Sequence, residues 1–342
     1  MPELTFEIKK IRHLLSLRTD PANTYLMVIL AVLIGAFTLI LPGMFFRGAN
    51  LQSMAFQVPE LGVLAIAMMI PLLSGGINLT IIATANMSGI LMAYILTQFI
   101  PEGASGGIPI MATAAAILAG LAVSLLIGLF NGLIIAYIGV SPILATLGTM
   151  MLIQGLNVVI TKGYVISGFP EPVLFIGNGL IFGVPVPLLI FAACVGLAAL
   201  ILRRTPFGIA IYMMGSNEKA TLFSGIDTRK VILKIYALSG LLCGVAALIM
   251  ISRFNSAKAG YASSYLLVTI LAAVLGGVDP FGGFGKMMGL VLALLILQVV
   301  SSGLNLIGIS AHLTLTLWGG ILIFILFINQ VREWFAVRKR LE

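Results

Sequence analysis

The chain has 342 residues, 60% of them hydrophobic and 9% charged, with a mean hydropathy of +1.17 and a formal net charge of +8. Soluble globular domains carry roughly 25% charged residues, so this composition excludes a soluble domain and points to a polytopic membrane protein. The basic excess sits mainly in tails and loops, which makes the pI of 9.7 an orientation signal rather than a nucleic-acid footprint, and nucleic acid is not an expected partner.

Apolar runs of about 20 residues, each able to cross a hydrocarbon core of roughly 30 Å as a helix, recur along the chain. Ten candidate spans result: 22–41, 56–74, 80–100, 109–135, 142–160, 186–202, 231–252, 259–276, 286–304 and 313–330. Lipid leaves the backbone only helices or closed barrels, and long unbroken apolar runs choose helices. The expected fold is therefore an all-α polytopic membrane protein with about ten transmembrane helices. An N-terminal tail (1–21) precedes a single transmembrane domain (22–330), and a basic tail (331–342) follows it.

The first run is too long for a signal-peptide core, lacks a small-residue cleavage site and reads as a retained signal anchor. Glu60 lies about one turn into the second span, where it could hydrogen-bond a polar solute or reach the interface and stay solvated. Pro71, followed by Ser74-Gly75-Gly76, is expected to break that span just before Asn78, since proline removes a helix hydrogen bond and glycine has low helix propensity. Spans four and five are joined by Ile138-Gly139-Val140-Ser141, which echoes Ile307-Gly308-Ile309-Ser310 between spans nine and ten, 169 residues further on. Five spans apart on opposite faces is the geometry of a five-plus-five inverted repeat.

The stretch from Arg203 to Lys234 holds eight of the chain's thirty charged residues. Ser216 or Asn217 can cap a short helix there, Glu218 suits its first turn, and Gly225 can end it in a left-handed conformation. A helix of about two turns does not persist alone in water, so either tertiary or partner contacts hold it or the loop rests on the bilayer surface. Further on, Gly276 to Gly285, GGVDPFGGFG, makes a turn between two short spans. A re-entrant hairpin is the alternative, but it would carry Lys286 toward the membrane interior at a cost of several kcal/mol.

With the N-terminus in the cytoplasm, fifteen basic residues fall on the cytoplasmic side and four (Arg47, Lys162, Arg253 and Lys258) on the outer side. That asymmetry expects an even number of spans and two cytoplasmic termini.

There is no G-x-x-x-x-G-K-[ST] phosphate loop; Gly285-Lys286 has Pro280 and Met287 in place of the first glycine and the hydroxyl. Two histidines, His13 and His312, make neither a metal site nor a Ser-His-Asp arrangement, so a membrane-embedded enzyme has no visible constellation. Cys194 and Cys243 fall in apolar runs as packing residues. An ion-coupled carrier would use acidic residues within its spans, and Glu60 and the turn residue Asp279 are the candidates. Asn78, Thr80, Thr84, Asn86, Asn131, Thr146, Thr149, Gln154, Asn157 and Asn305 suit a neutral, hydroxyl-rich solute. They suit equally interhelical bonding beside the close packing that 38 glycines allow.

SGGINLT, FNGLIIAYIGVSPILATLGTMMLIQGL, RTPFGIAIYMMGSNEKATLFSGIDTRKVILK, LAAVLGGVDPFGG and SSGLNLIGIS, spread between Gly62 and Gln330, together carry a resemblance. The chain resembles the membrane permeases of ATP-driven (ABC) importers of the ribose, arabinose, xylose and galactose type, a family that includes autoinducer-2 permeases. The resemblance implies a bacterial cytoplasmic (inner) membrane location, a second permease subunit, identical or paralogous, and a periplasmic or surface-tethered substrate-binding protein. It also implies ATPase subunits that carry ATP and Mg, leaving this chain without a cofactor or bond chemistry of its own. It makes the segment Gly215, Ser216, Asn217, Glu218, Lys219, Ala220, Thr221, Phe223, Ser224 and Gly225, with Ile226 and Asp227 following, the coupling helix that receives the ATPase movement. Glu60, Asn78, Thr80, Asn86, Thr146, Thr149, Gln154, Asn157 and Asn305 are the candidate substrate-path residues.

The departures bear on the solute. Where the family usually reads GGIDLSVG this chain has Gly75-Gly76-Ile77-Asn78-Leu79-Thr80-Ile81-Ile82, its glycine-rich turn contains Val278-Asp279-Pro280-Phe281, and Gln154 stands where arginine is frequent. A reporter enzyme fused after Glu342 should be active only in the cytoplasm; activity on the outer side would overturn the even-span topology.

Overall fold

The computed structural model describes residues 21–99, 107–310, 312–324 and 327. The helices, in order, are α1 (Pro21–Ile40), α2 (Gly48–Leu73), α3 (Ile81–Phe99), α4 (Gly107–Leu133, continued by a π-helical turn at Ile134–Ile138) and α5 (Pro142–Thr161). Then come α6 (Glu171–Asn178), α7 (Val186–Arg204), α8 (Pro206–Ser216), α9 (Glu218–Phe223), α10 (Thr228–Phe254), α11 (Tyr265–Leu275), α12 (Met287–Ile307) and α13 (His312–Phe324). Two antiparallel pairs of two-residue strands pin loops, Ile166–Ser167 with Ser256–Ala257 and Leu180–Ile181 with Val184–Pro185.

Among the described residues eight helices are long and apolar enough to cross a membrane, and α11 and α13 are shorter apolar helices. Each of the ten expected spans falls on one of these, and the chain is an all-helical polytopic membrane protein. The tails 1–20 and 331–342, and part of the last expected span, lie outside the described residues.

Two features differ from the sequence expectation in a physically informative way, and a third meets it. First, α2 begins at Gly48 rather than at 56, because Asn50 and Gln57 find polar partners on α12, Ser302 and Gln298. Second, α11 has 11 residues, about 16 Å at 1.5 Å per residue, too little for a hydrocarbon core of roughly 30 Å. Irregular chain, 255–264, supplies the rest of the crossing. Its carbonyls are served by protein, as backbone at membrane depth requires: the Asn86 amide donates to Ala259 O at 3.0 Å and Tyr261 O at 3.1 Å.

Third, the expected break before Asn78 is a tight turn: α2 runs through Pro59 and Pro71, ends at Leu73, and Gly75 N–H and Gly76 N–H fold back onto Leu72 O and Pro71 O. Proline at 71 has no N–H for the carbonyl of Ala67. The Ser239 hydroxyl of α10 donates to that carbonyl instead, at 2.7 Å. Ser239 Oγ in turn accepts from Asn78 Nδ2 at 2.9 Å. Asn78 Oδ1 accepts from the Thr80 backbone N–H at 3.1 Å and from the Thr80 hydroxyl, and Thr80 Oγ1 accepts from Asn131 Nδ2 of α4 at 2.8 Å. One polar chain thus joins α2, the α2–α3 turn, α4 and α10.

α10 is the central element and packs on α2, α3, α4 and α6. Its contact with α4 is at backbone distance: a Cβ on Gly128 would lie 2.3 Å from Tyr236 O, and one on Gly240 would lie 2.3 Å from Ser124 O. Small residues at four-residue spacing are how lipid-embedded helices gain dispersion contact without a hydrophobic driving force.

The two echoed turns share one geometry. Gly139 and Gly308 end their helices in the left-handed region, at φ 82° and 88°, where glycine carries no Cβ penalty. Gly139 lies near the start of α10, where Arg229 sits 5.8 Å over the Tyr137 ring. Gly308 lies at the far end of α12, whose beginning contacts Gly276. The two turns therefore occupy opposite faces of the bundle.

Replacing Ser239 by alanine leaves the Ala67 carbonyl and the Asn78 amide without this partner, and thermal unfolding in detergent should show a loss of about 1–3 kcal/mol. Adding Pro71→Ala returns an intrahelical donor to Ala67, so the double variant should regain part of that loss; no recovery would refute this account of the bond.

Candidate functional site

Two regions stand out at opposite ends of the bundle. The first is built from the charge-rich stretch. Thr205 caps α8, accepting from Gly208 N at 3.1 Å, and Asn217 caps α9, accepting from Ala220 N at 2.9 Å. Glu218 occupies the first turn of α9, favourable beside the positive end of the helix. Thr221 faces inward and bonds Asn217 O at 2.8 Å, while Leu222 and Phe223 point outward, the latter 89% exposed. Ser224 closes the helix and Gly225 follows with φ 82°. Ile226 leads to Asp227, which caps α10 by accepting from Lys230 N at 3.2 Å. The Lys230 ammonium, 3.1 Å away, hydrogen-bonds the Asp227 carboxylate and, with the backbone N–H, holds it below the usual carboxylate range.

An open groove of about 340 Å³ runs between α8 and α9, bordered by Tyr212, Met213, Ser216, Asn217, Ala220, Thr221 and Ser224. Its base is fixed to the bundle. A Cβ on Gly215 would lie 2.1 Å from Leu73 O and 2.2 Å from Gly283 N, so only glycine lets α8 meet the end of α2 there. Gly283 N–H donates to Leu73 O at 2.9 Å, and the Tyr212 hydroxyl donates to Gly285 O at 2.9 Å. The turn 276–286 therefore sits at this end of the bundle. Leu222, Phe223 and Glu218 stand outside, with Lys219 also exposed. A short, capped helix with an exposed aromatic residue and a rigid footing is equipped to receive a partner surface and pass its movement to α2.

The expected path residues do not form one site. Asn78 and Thr80 belong to the polar chain through Ser239, and Asn86 holds the 255–264 segment. Thr146 bonds Pro142 O at 2.7 Å and Ile77 O at 3.3 Å, and Asn157 donates to Ala83 O at 3.1 Å. These side chains join helices. Thr149 is buried on α5, and Gln154 is exposed on the same helix.

Glu60 lies near the middle of α2 and is 2% exposed, which removes the solvated alternative. Its Oε2 is 2.9 Å from Arg253 Nη1, and its Oε1 accepts from the Tyr265 hydroxyl at 2.7 Å. Arg253, expected in an outer loop, belongs to the last turn of α10. The pair ties α2, α10 and α11 together, and the carboxylate that an ion-coupled carrier would use is occupied.

The second region is a cavity of about 370 Å³ between α2, α11, α12 and α13, in the half of the bundle away from α9. Of the path residues expected from the sequence, Asn305 borders it. The others are Asn50, Ser53, Gln57 and Leu61 from α2, Ser264, Tyr265 and Val268 at α11, Leu297, Gln298, Ser301 and Ser302 from α12, and Ile309, Thr314, Leu315 and Trp318 beyond. Gln298 Nε2 donates to Gln57 Oε1 at 3.1 Å, and the Ser302 hydroxyl donates to Asn50 Oδ1 at 2.8 Å, so amides and hydroxyls clasp α2 to α12 along its wall. Sequence periodicity held the signal: residues 50, 53 and 57, and 298, 301, 302 and 305, each recur on one helical face.

Residues 50–326 match the family described as the permease component of branched-chain amino acid transport systems. The ribose import permease protein of Bacillus subtilis is 34% identical over 291 residues, covering 84% of this chain and 87% of its own. The autoinducer 2 import system permease protein of Photorhabdus temperata is 32% identical over 292 residues, covering 82% of this chain and 84% of its own. No solved structure matches.

Removing one partner of a buried ion pair costs about 3–5 kcal/mol. Arg253→Met strands the enclosed Glu60 carboxylate and should lower thermal stability by about that amount, more than Glu60→Gln, which strands a partly exposed guanidinium. The Glu60→Gln/Arg253→Met double variant should be more stable than Arg253→Met alone; equal melting temperatures for all three would refute the pairing.

Proposed function

The chain belongs to the family of branched-chain amino acid transport system permease components, and we propose that it is the non-catalytic, membrane-spanning subunit of an ATP-driven importer for a monosaccharide or similar small polyhydroxylated solute. The observation that carries this reading is α9, a capped helix with an 89%-exposed Phe223, footed on α2 through Gly215. Relatives named for ribose and autoinducer 2 import support the importer class and its hydroxyl-rich cargo.

In this reading a separate ATPase subunit, which carries ATP and Mg, docks on α8 and α9 in the cytoplasm. Gly215, Ser216, Asn217, Glu218, Lys219, Ala220, Thr221, Phe223, Ser224, Gly225, Ile226 and Asp227 make up the docking element. A second permease copy or a paralogue completes the membrane unit, and a binding protein delivers solute on the outer side of the bacterial inner membrane. Both termini lie in the cytoplasm, in keeping with the basic residues around α8–α9. ATP binding and hydrolysis in the partner shift an outward/inward equilibrium, and solute moves because the two states expose its site to opposite sides. A stand-alone ion-coupled carrier is not favoured, since Glu60 is bound by Arg253 and Tyr265.

In proteoliposomes containing the permease, its ATPase and its binding protein, solute should stimulate ATP hydrolysis. An exposed aromatic anchor contributes about 2 kcal/mol or more to docking, so Phe223→Ala should weaken ATPase association at least ~10-fold and abolish the stimulation, with Glu218→Ala also reducing it. Unchanged stimulation in both variants would refute the docking role of α9.

A further inference from the structure

The small hairpin between α6 and α7, Leu180–Ile181 paired with Val184–Pro185, stands at the end of the bundle away from α9 on a rigid footing. A Cβ on Gly177 of α6 would lie 2.3 Å from Arg253 N, and Asn178 Nδ2 donates to Ser252 O at 3.1 Å, both in the last turn of α10. On the other side Pro185 and Pro187 are buried, and the Val186 N–H closes the hairpin by donating to Gly179 O at 3.0 Å.

The turn itself holds an aromatic residue where the backbone least favours one. Phe182 and Gly183 have φ 50° and 81°, the left-handed pair of a two-residue hairpin loop, for which Asn-Gly or Asp-Gly is the usual choice. A bulky side chain in that region is strained, and strain of this kind persists where the surrounding structure over-determines it, typically at sites of contact. Phe182 is 103% exposed, so its ring gains no packing within the chain, and Leu180, Ile181 and Val184 beside it are exposed as well.

The depth of the hairpin identifies what meets these side chains. α7 starts directly after it and ends at Arg203 and Arg204. From Val186 to Arg203 the helix rises about 26 Å at 1.5 Å per residue, slightly less than a hydrocarbon core of roughly 30 Å. With the basic pair at one boundary, the hairpin falls at the other boundary and not in bulk water. Leu189, Leu197 and Leu200 carry the exposed apolar surface on down α7, so the hairpin continues a face already turned to lipid. Residues 172–202 contain no Asp, Glu, Lys, Arg or His, whereas a contact with a soluble protein has a polar rim. The backbone suits a poorly hydrated layer too: the strands pair with each other, and Pro185 and Pro187 have no N–H to leave unserved.

We propose that this hairpin is a membrane-interface anchor, inserting the Phe182 ring, with Leu180, Ile181 and Val184, among the headgroups and upper acyl chains of the leaflet at the end away from α9. It fixes the depth of α7 at one end, while the other end of that helix leads through the Thr205 cap into α8. The anchor goes beyond the importer reading and holds whichever solute is carried.

The test places a fluorescent reporter at the turn, Phe182→Trp in a Trp318→Phe/Trp334→Phe background, in the full chain with its ATPase reconstituted into phosphatidylcholine–phosphatidylglycerol vesicles. A nitroxide on acyl carbon 5 should quench the indole about 3-fold more than one on carbon 16, because interfacial side chains lie roughly 5–10 Å into the headgroup and acyl boundary. Aqueous iodide should quench it weakly, and adding the binding protein should leave the pattern unchanged. Ile181→Trp in the same background should give the same order of quenching, which keeps the test decisive if position 182 does not accept the indole. Strong quenching by iodide without quenching by lipid nitroxides puts the hairpin in water, shielding on addition of the binding protein makes it that partner's contact, and an indole reached by neither quencher is covered by a second copy; each of these would overturn the proposal.

Discussion

The carbonyl of Ala67 sets the problem that the centre of this bundle solves. Pro71 denies it the N–H that a helix would provide, and Ala67 is fully buried, so the Ser239 hydroxyl takes that place. Everything attached to Ser239 is thereby positioned: Asn78 in the turn after α2, Thr80 at the start of α3 and Asn131 on α4. For α10 to bring Ser239 this close, its neighbour α4 must approach to backbone distance, and Gly128 and Gly240 permit that. A bulky residue at either glycine would meet backbone of the facing helix and force α4 and α10 apart.

α2 extends that constraint to both ends of the molecule. At one end the Leu73 carbonyl accepts from Gly283 and lies against Gly215, so α8, the 276–286 turn and α2 share a footing. Further along the same helix, Glu60 is bound by Arg253 and Tyr265, and Asn50, Ser53 and Gln57 border the cavity. α8 thus meets, at Gly215, the end of a helix whose other half forms the cavity wall.

Much of the architecture was legible in the residue order. Long apolar runs identify the helices, and the cap of α9, open between Ser216 and Asn217, falls to Asn217, whose side chain competes for a backbone N–H. What was not legible depended on partners distant in the chain. The break after Pro71 was legible, but the hydroxyl that serves Ala67 O was not, because it lies at position 239. Glu60 stayed open between a solute contact and a solvated interface, because α2 begins at Gly48 rather than at 56 and because Arg253, nearly 200 residues away, was assigned to a loop. The cavity escaped for a related reason: an expected boundary at 56 cut Asn50 and Ser53 off the helix that carries Gln57.

The 255–264 segment has a consequence for how the chain enters the bilayer. A segment is admitted to lipid one stretch at a time, on its own hydrophobicity, and an 11-residue helix behind ten residues of irregular backbone does not meet that test alone. The carbonyls of Ala259 and Tyr261 become compatible with membrane depth only when the Asn86 amide is there to receive them. The crossing at α11 therefore depends on α3, which supplies the amide that these two carbonyls need.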